Sequence, residues 1–118
     1  MSTRAQVRFA TREEGVSFSE HPDAIHAQFY VHHDGYPEGL GLHIASSIVK
    51  SGSATSFYGE IESLDAYHAD LEYIYYIWQA PGKTTWISIF NVYYNECIFV
   101  GEPSDLINKY KLNTKAYG

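Results

Sequence analysis

Cysteine is almost missing from this chain of 118 residues: Cys97 stands alone, so neither an internal disulfide nor a Cys-rich zinc knot can form. Long apolar runs are missing too. No stretch approaches the roughly 18 uninterrupted apolar residues that cross a bilayer, which excludes a helical membrane span. There is no internal repeat and no low-complexity linker, and the length suits one packed domain spanning residues 1–118 rather than two. Met1 to Arg12 carries Arg4, Arg8 and Arg12 but no apolar signal-peptide core, so the expected location is cytoplasmic. Basic residues are also scarce, 8 Lys and Arg against 14 acids, giving a net charge of -6. That balance disfavours direct DNA or RNA binding, which rests on Lys and Arg neutralising phosphates.

What the chain does have is a 45% hydrophobic share and eleven tyrosines, enough for a packed and strongly aromatic core. Its charge is unevenly placed. From Glu13 to Gly82 there are eleven acids against one base, Lys50, whereas both ends are basic. Gln6 to Thr11 alternates, as do Val16 and Phe18 after the turn-like Arg12 to Gly15, which predicts a first hairpin. Ile25, Ala27, Phe29 and Val31 alternate with His26, Gln28, Tyr30 and His32, the period of a half-buried strand. Asp34-Gly35 then turns the chain, and Pro37 fits the first position of a helix, where its missing N–H does no harm. Leu40, Ile44, Ala45, Ile48 and Val49 form an apolar stripe at helical spacing that ends at Lys50 and Gly52. Ser51 to Ser56 reads as a small-residue loop, and Glu60 to His68 as one or two helical turns.

The second half is clearer. Leu71 to Gln79 is apolar or aromatic on both faces, as expected of a central strand. Ala80-Pro81-Gly82-Lys83 has Pro and Gly at the middle positions of a type II turn, Thr84 to Val92 resumes the sheet, Asn95 turns, and Cys97 to Val100 adds a strand. Ser104 can cap a short final helix, Asp105 to Tyr110. These elements predict an α+β domain: an antiparallel sheet of about five to six strands with two or three helices packed on one face. The tyrosines then predict an aromatic second sheet face left half exposed, through which a homodimer can form.

Six histidines invite a metal hypothesis, but the spacings oppose it. His32 and His33 are adjacent on a strand and point to opposite faces, and His26 and His32 share a face but stand about 20 Å apart at roughly 3.3 Å per residue. No metal and no cofactor is therefore expected. Cys97 lies in an apolar strand, where thiols are inert, and no nucleophile elbow, phosphate loop or His-Glu-x-x-His occurs. Two groups of residues remain as candidates. His32, His33, Asp34, Gly35, Tyr36, Pro37 and Glu38 crowd a strand-to-helix turn, where side chains and helix N–H groups can surround a ligand. Glu60, Glu62, Asp65, Asp70 and Glu72 form an acid-rich segment suited to a basic surface on a protein partner.

The segment Tyr30-Val31-His32-His33-Asp34-Gly35-Tyr36-Pro37-Glu38-Gly39 resembles the signature of small uncharacterised phage and bacterial proteins, Tyr-x-His-x-Asp-Gly-Tyr-Pro-Glu between a strand and a helix. Phe99 to Ile107 resembles their last strand and helix, while His33 stands where members often carry an aromatic residue. The resemblance implies a phage or mobile-element setting and action in the host cytoplasm, and it implies no reaction. The expected function is a non-catalytic interaction protein, an acidic inhibitor occupying the basic, nucleic-acid-binding surface of a host defence or nucleic-acid-processing protein. The alternative is a small metal- or ligand-binding enzyme centred on the His-His-Asp-Gly-Tyr-Pro-Glu turn.

Overall fold

A computed structural model describes residues 3–13, 15–52 and 59–117 of the chain, with side chains of the last helix as far as Tyr110. Among these described residues six strands form one sheet: β1 (Ala5–Thr11), β2 (Ala27–Val31), β3 (Glu60–Glu62), β4 (Tyr73–Gln79), β5 (Trp86–Asn91) and β6 (Glu96–Gly101). Their order across the sheet is β3-β2-β1-β4-β5-β6. A π-helical turn, Pro37–Gly41, leads into α1 (Leu42–Ser51), and α2 (Pro103–Tyr117) closes the chain. The result is the expected α+β architecture with two helices. Its sheet is mixed, however: β1 pairs with β4 in parallel, Ala5 opposite Tyr73 and Thr11 opposite Gln79, while the other pairings are antiparallel. A parallel pair requires a crossover connection, and the chain between β1 and β4 makes one through α1.

One sheet face carries the main core. Val7, Val31, Tyr75, Ile77, Ile87 and Ile89 pack against Leu40, Ile44, Ala45 and Ile48 of the first helical segment and Leu106 and Tyr110 of α2. Each large side chain withdrawn from water in this way contributes about 1.5–3 kcal/mol. The helical stripe read from the sequence is this buried face except for Val49, which is 60% exposed. Gly52 ends α1 as expected, in the left-handed region at φ 80°, with its N–H donating to the Ile48 carbonyl at 2.8 Å. Of the small-residue loop expected over Ser51 to Ser56, Ser51 closes α1 and positions 53–56 lie outside the described residues.

The other face departs from expectation. Val16 to Phe18 forms no strand and the predicted first hairpin is not made; β1 takes β2 and β4 as neighbours instead. The reason is packing. Phe18 lies on Trp78 and Trp86, with ring centroids 4.9 and 5.2 Å away, and Phe18 and Ile25 pack against the buried Ala10, Tyr76, Trp78 and Phe90. Three alternating residues cannot fix a strand when burying one aromatic ring on two indoles is the competing choice. The half-exposed tyrosine face is corrected as well. Tyr75 and Tyr76 are buried, and among the described residues the well-exposed tyrosines, Tyr67, Tyr93 and Tyr94, sit between strands.

Two local readings also change. Glu60–Glu62 is an edge strand rather than helix, paired with β2 so that Gln28 lies opposite Glu62. In α2, Pro103 takes the first helical position, so Ser104 lies inside the first turn and the Asp105 carboxylate accepts from the Glu102 N–H at 3.1 Å. The helix is also longer than expected, fifteen residues. The central strand β4, the Pro81-Gly82 turn with Gly82 at φ 72°, and the turn at Asn95 with φ 49° stand as read.

Candidate binding cleft and the polar cluster beside it

The strand-to-helix turn is pinned through its backbone. Gly35 N–H donates to the Thr3 carbonyl at 3.0 Å, and the buried Tyr75 hydroxyl donates to the Gly35 carbonyl at 2.7 Å. Leu40 N–H donates to the Asp34 carbonyl at 3.1 Å, and Asp34 itself sits at φ 56°, a conformation Asp tolerates better than most residues. A Cβ on Gly35 would lie 2.7 Å from the Ala5 Cβ, and one on Gly39 3.1 Å from the Tyr36 ring. Tyr36 is extended, at ψ 156°, as the residue before a proline prefers. The Asp-Gly-Tyr-Pro-Glu-Gly string thus has local structural reasons for its two glycines and its proline, which leaves the side chains around them to be explained.

Those side chains meet in a cleft of about 570 Å3 at the end of β2, within the range of small-ligand sites. Val31 and Leu40 line it as buried apolar residues, with Tyr30, His32, His33, Tyr36 and His43 supplying rings and Asp34 and Glu60 supplying carboxylates. His32 Nε2 lies 3.3 Å from Glu60 Oε2. The rings form a series: His33 and His32 are 6.3 Å apart, His32 and Tyr30 4.5 Å, and Tyr30 stacks on His68 at 3.7 Å. The cleft therefore unites members of both candidate groups, four from the turn and Glu60 from the acidic segment. His43, on the first turn of α1, joins them. Gly35, Pro37 and Glu38 are not part of its lining. Glu38 instead stands near Tyr110, whose hydroxyl is pushed up to about 12 by burial and then by the Glu38 charge.

The acidic segment is not uniformly available. Glu60 is 76% exposed at its side chain, and Asp65 and Glu72 are exposed. Asp70 is half exposed, paired with Arg4 at 2.9 Å and accepting from the Tyr30 hydroxyl at 3.2 Å. Glu62 is different, only 14% exposed at its side chain. Its Oε2 accepts from Gln6 Nε2 at 2.8 Å and Gln28 Nε2 at 2.7 Å, and its Oε1 meets His68 Nε2 at 2.7 Å. Burial alone pushes the Glu62 carboxyl up, but the hydrogen bonds from His68, Gln28 and Gln6 together outweigh it and hold the group below its ordinary value.

Sequence reasoning missed this cluster. Gln6 and Gln28 are 1% and 0% exposed on a sheet face, and a buried amide demands partners. The signal available was their strand register among apolar neighbours. Next to them Arg8 donates to Gln6 Oε1 and to the Tyr76 hydroxyl, both at 2.8 Å, and His21 Nδ1 meets the same hydroxyl at 2.6 Å. Burial lowers the His21 pKa, a hydrogen bond with Asn95 opposes, and the Arg8 charge adds to the lowering. Arg8 Nε and Gln28 Oε1 are buried without a hydrogen-bond partner among the described residues.

As chemistry, the cleft offers carboxylates and ring faces, the inventory of a binding site. Burial pushes the Cys97 thiol up, away from the thiolate a nucleophile needs. Among the described residues no three His, Cys, Asp or Glu side chains are grouped to hold a metal ion, and no helix is long and apolar enough to cross a membrane. Compared with protein-family models, curated proteins and solved structures, the chain has no significant match to any.

Proposed function

We propose that the protein is a binding module that docks on a basic surface of a protein partner, using the outward acids of the 60–72 segment and the cleft that adjoins them. The observation that carries this reading is the meeting of Glu60 with Asp34 in a ring-lined cleft, with Asp65, Asp70 and Glu72 exposed on the same stretch of chain. Opposed surface charges accelerate encounter and select partners. Taken with the resemblance to small phage and bacterial proteins, the partner is a host nucleic-acid-processing or defence protein whose nucleic-acid groove is covered. Glu62, turned inward, is left out of the docking set. The test is capture from a bacterial lysate, identification of the captured protein, and titration of the purified complex against salt. Binding weakens steeply with salt and is lost when Glu60, Asp65, Asp70 and Glu72 are together changed to lysine; binding indifferent to both refutes the proposal.

A second reading, a small-ligand site or enzyme at the same cleft, is favoured by the cleft's volume. A small molecule co-purifying with the protein, and lost when His43 is changed to a bulky residue, is its expected signature. A protein that carries none in native mass spectrometry counts against it.

A further inference from the structure

We propose that the cleft beside β2 is a receptor for a guanidinium group, an arginine side chain presented by the partner; this rests on the docking function proposed above. Among the described residues, Asp34 and Glu60 supply two carboxylates and no Lys or Arg lines the cleft, so an incoming cation meets no lysine or arginine charge there. Tyr36, His32 and His43, all exposed, supply rings. A planar, weakly hydrated cation gains from stacking on such rings as well as from carboxylate hydrogen bonds, a combination that fits guanidinium better than ammonium. Val31 and Leu40, 3% and 6% exposed, give the aliphatic stem an apolar floor.

Preorganisation supports the same assignment. The Asp34 backbone is fixed by the Leu40 N–H and by the neighbouring Gly35 bonds to Thr3 and Tyr75, so this carboxylate is mounted on a rigid turn. Glu60 sits in a paired strand opposite Tyr30 and is already engaged with a cationic-capable group, His32, at 3.3 Å. An arriving guanidinium replaces that imidazole as partner and frees His32 to stack. A ligand that costs little ordering on the protein side binds more tightly for the same contacts.

The test titrates the full-length chain, by NMR, with three blocked tripeptides, Gly-Arg-Gly, Gly-citrulline-Gly and Gly-Lys-Gly. Citrulline keeps the shape and removes the charge. The arginine peptide is expected to bind with a Kd of about 1 mM or tighter, shifting signals of His32, His43 and Tyr36, and both other peptides to bind about tenfold more weakly. Asp34→Asn and Glu60→Gln are each expected to weaken the arginine peptide several-fold with unchanged thermal melting. Asparagine is at ease at positive φ, and Glu60 is exposed, so both variants fold. Equal binding of arginine and citrulline peptides, equal binding of arginine and lysine peptides, or arginine affinity unaltered in both variants overturns the assignment. The broader docking function falls separately, if reversing Asp65 and Glu72, neither of which lines the cleft, leaves partner binding and its salt dependence unchanged.

Discussion

Replacing Glu62 by glutamine tests whether this acid is a structural keystone rather than a docking charge. Glutamine keeps the shape, so the amide oxygen can still accept from Gln6 and Gln28, but both bonds lose their charge assistance and the remaining NH2 faces His68. A hydrogen bond to a charged group contributes about 1.5–3 kcal/mol net, against about 0.5–1.5 for a neutral one, so each of the two bonds loses about 1 kcal/mol. The Gln28 and Gln6 amides also reach the Ser63 and Ala66 carbonyls at 3.2 to 3.3 Å, which cushions the loss. The expected destabilisation at pH 7 is therefore about 2 kcal/mol. For a domain of this size that lowers Tm by about 6–12 °C. The pH dependence has a definite sign. Because the folded carboxyl titrates below its ordinary value, its contribution is present above the unfolded value of 4.5 and is lost as pH falls through the folded one. Urea denaturation of the wild type and Glu62→Gln should thus show a gap at pH 7 that narrows on acidification below pH 4.5. Equal stability at pH 7, or a gap constant with pH, refutes the reasoning, and a variant that loses partner binding while still folded refutes the inward assignment of Glu62.

Three further outcomes follow from the packing. Tyr75→Phe removes the donor to the buried Gly35 carbonyl, should cost about 1–3 kcal/mol in a urea titration, and should loosen the turn that carries Asp34, seen as faster amide exchange at Leu40. Phe18→Ala uncovers Trp78 and Trp86; about 2–3 kcal/mol is lost, and indole fluorescence shifts to the red while the protein is still folded, whereas an unshifted spectrum contradicts the covered second face. In an alkaline absorbance titration Tyr110 ionises only as pH nears 12, and Tyr75, which burial raises well above 10, also ionises late. The folded pKa values of Tyr75 and Tyr110 are raised, so their contribution to stability is complete below pH 10 and is lost as pH climbs through the folded values; tyrosines ionising in one simple step without unfolding would contradict this.

What the sequence determined by itself are the features set by short-range geometry. The two-faced apolar pattern of Tyr73 to Gln79 marks an interior strand because both of its faces are covered, whatever covers them. Pro81-Gly82 and Gly52 mark a turn and a helix end because few residues other than glycine are at ease at positive φ. The stripe from Leu40 to Ile48 marks a helix because one face must leave water, and the Asp34-to-Gly39 string marks the turn that brings Asp34, Tyr36 and Gly39 to the cleft. Tertiary structure decided what depends on distant partners. Val16 to Phe18 and a true strand share a pattern, and only the indoles of Trp78 and Trp86, far along the chain, settle where Phe18 goes. Glu60 and Glu62 are two positions apart and look alike on paper. One reaches the cleft and the other is drawn inward by Gln6, fifty-six residues away, because a buried amide must find an acceptor and only the pairing of β1 to β2 and of β2 to β3 brings that acceptor within reach.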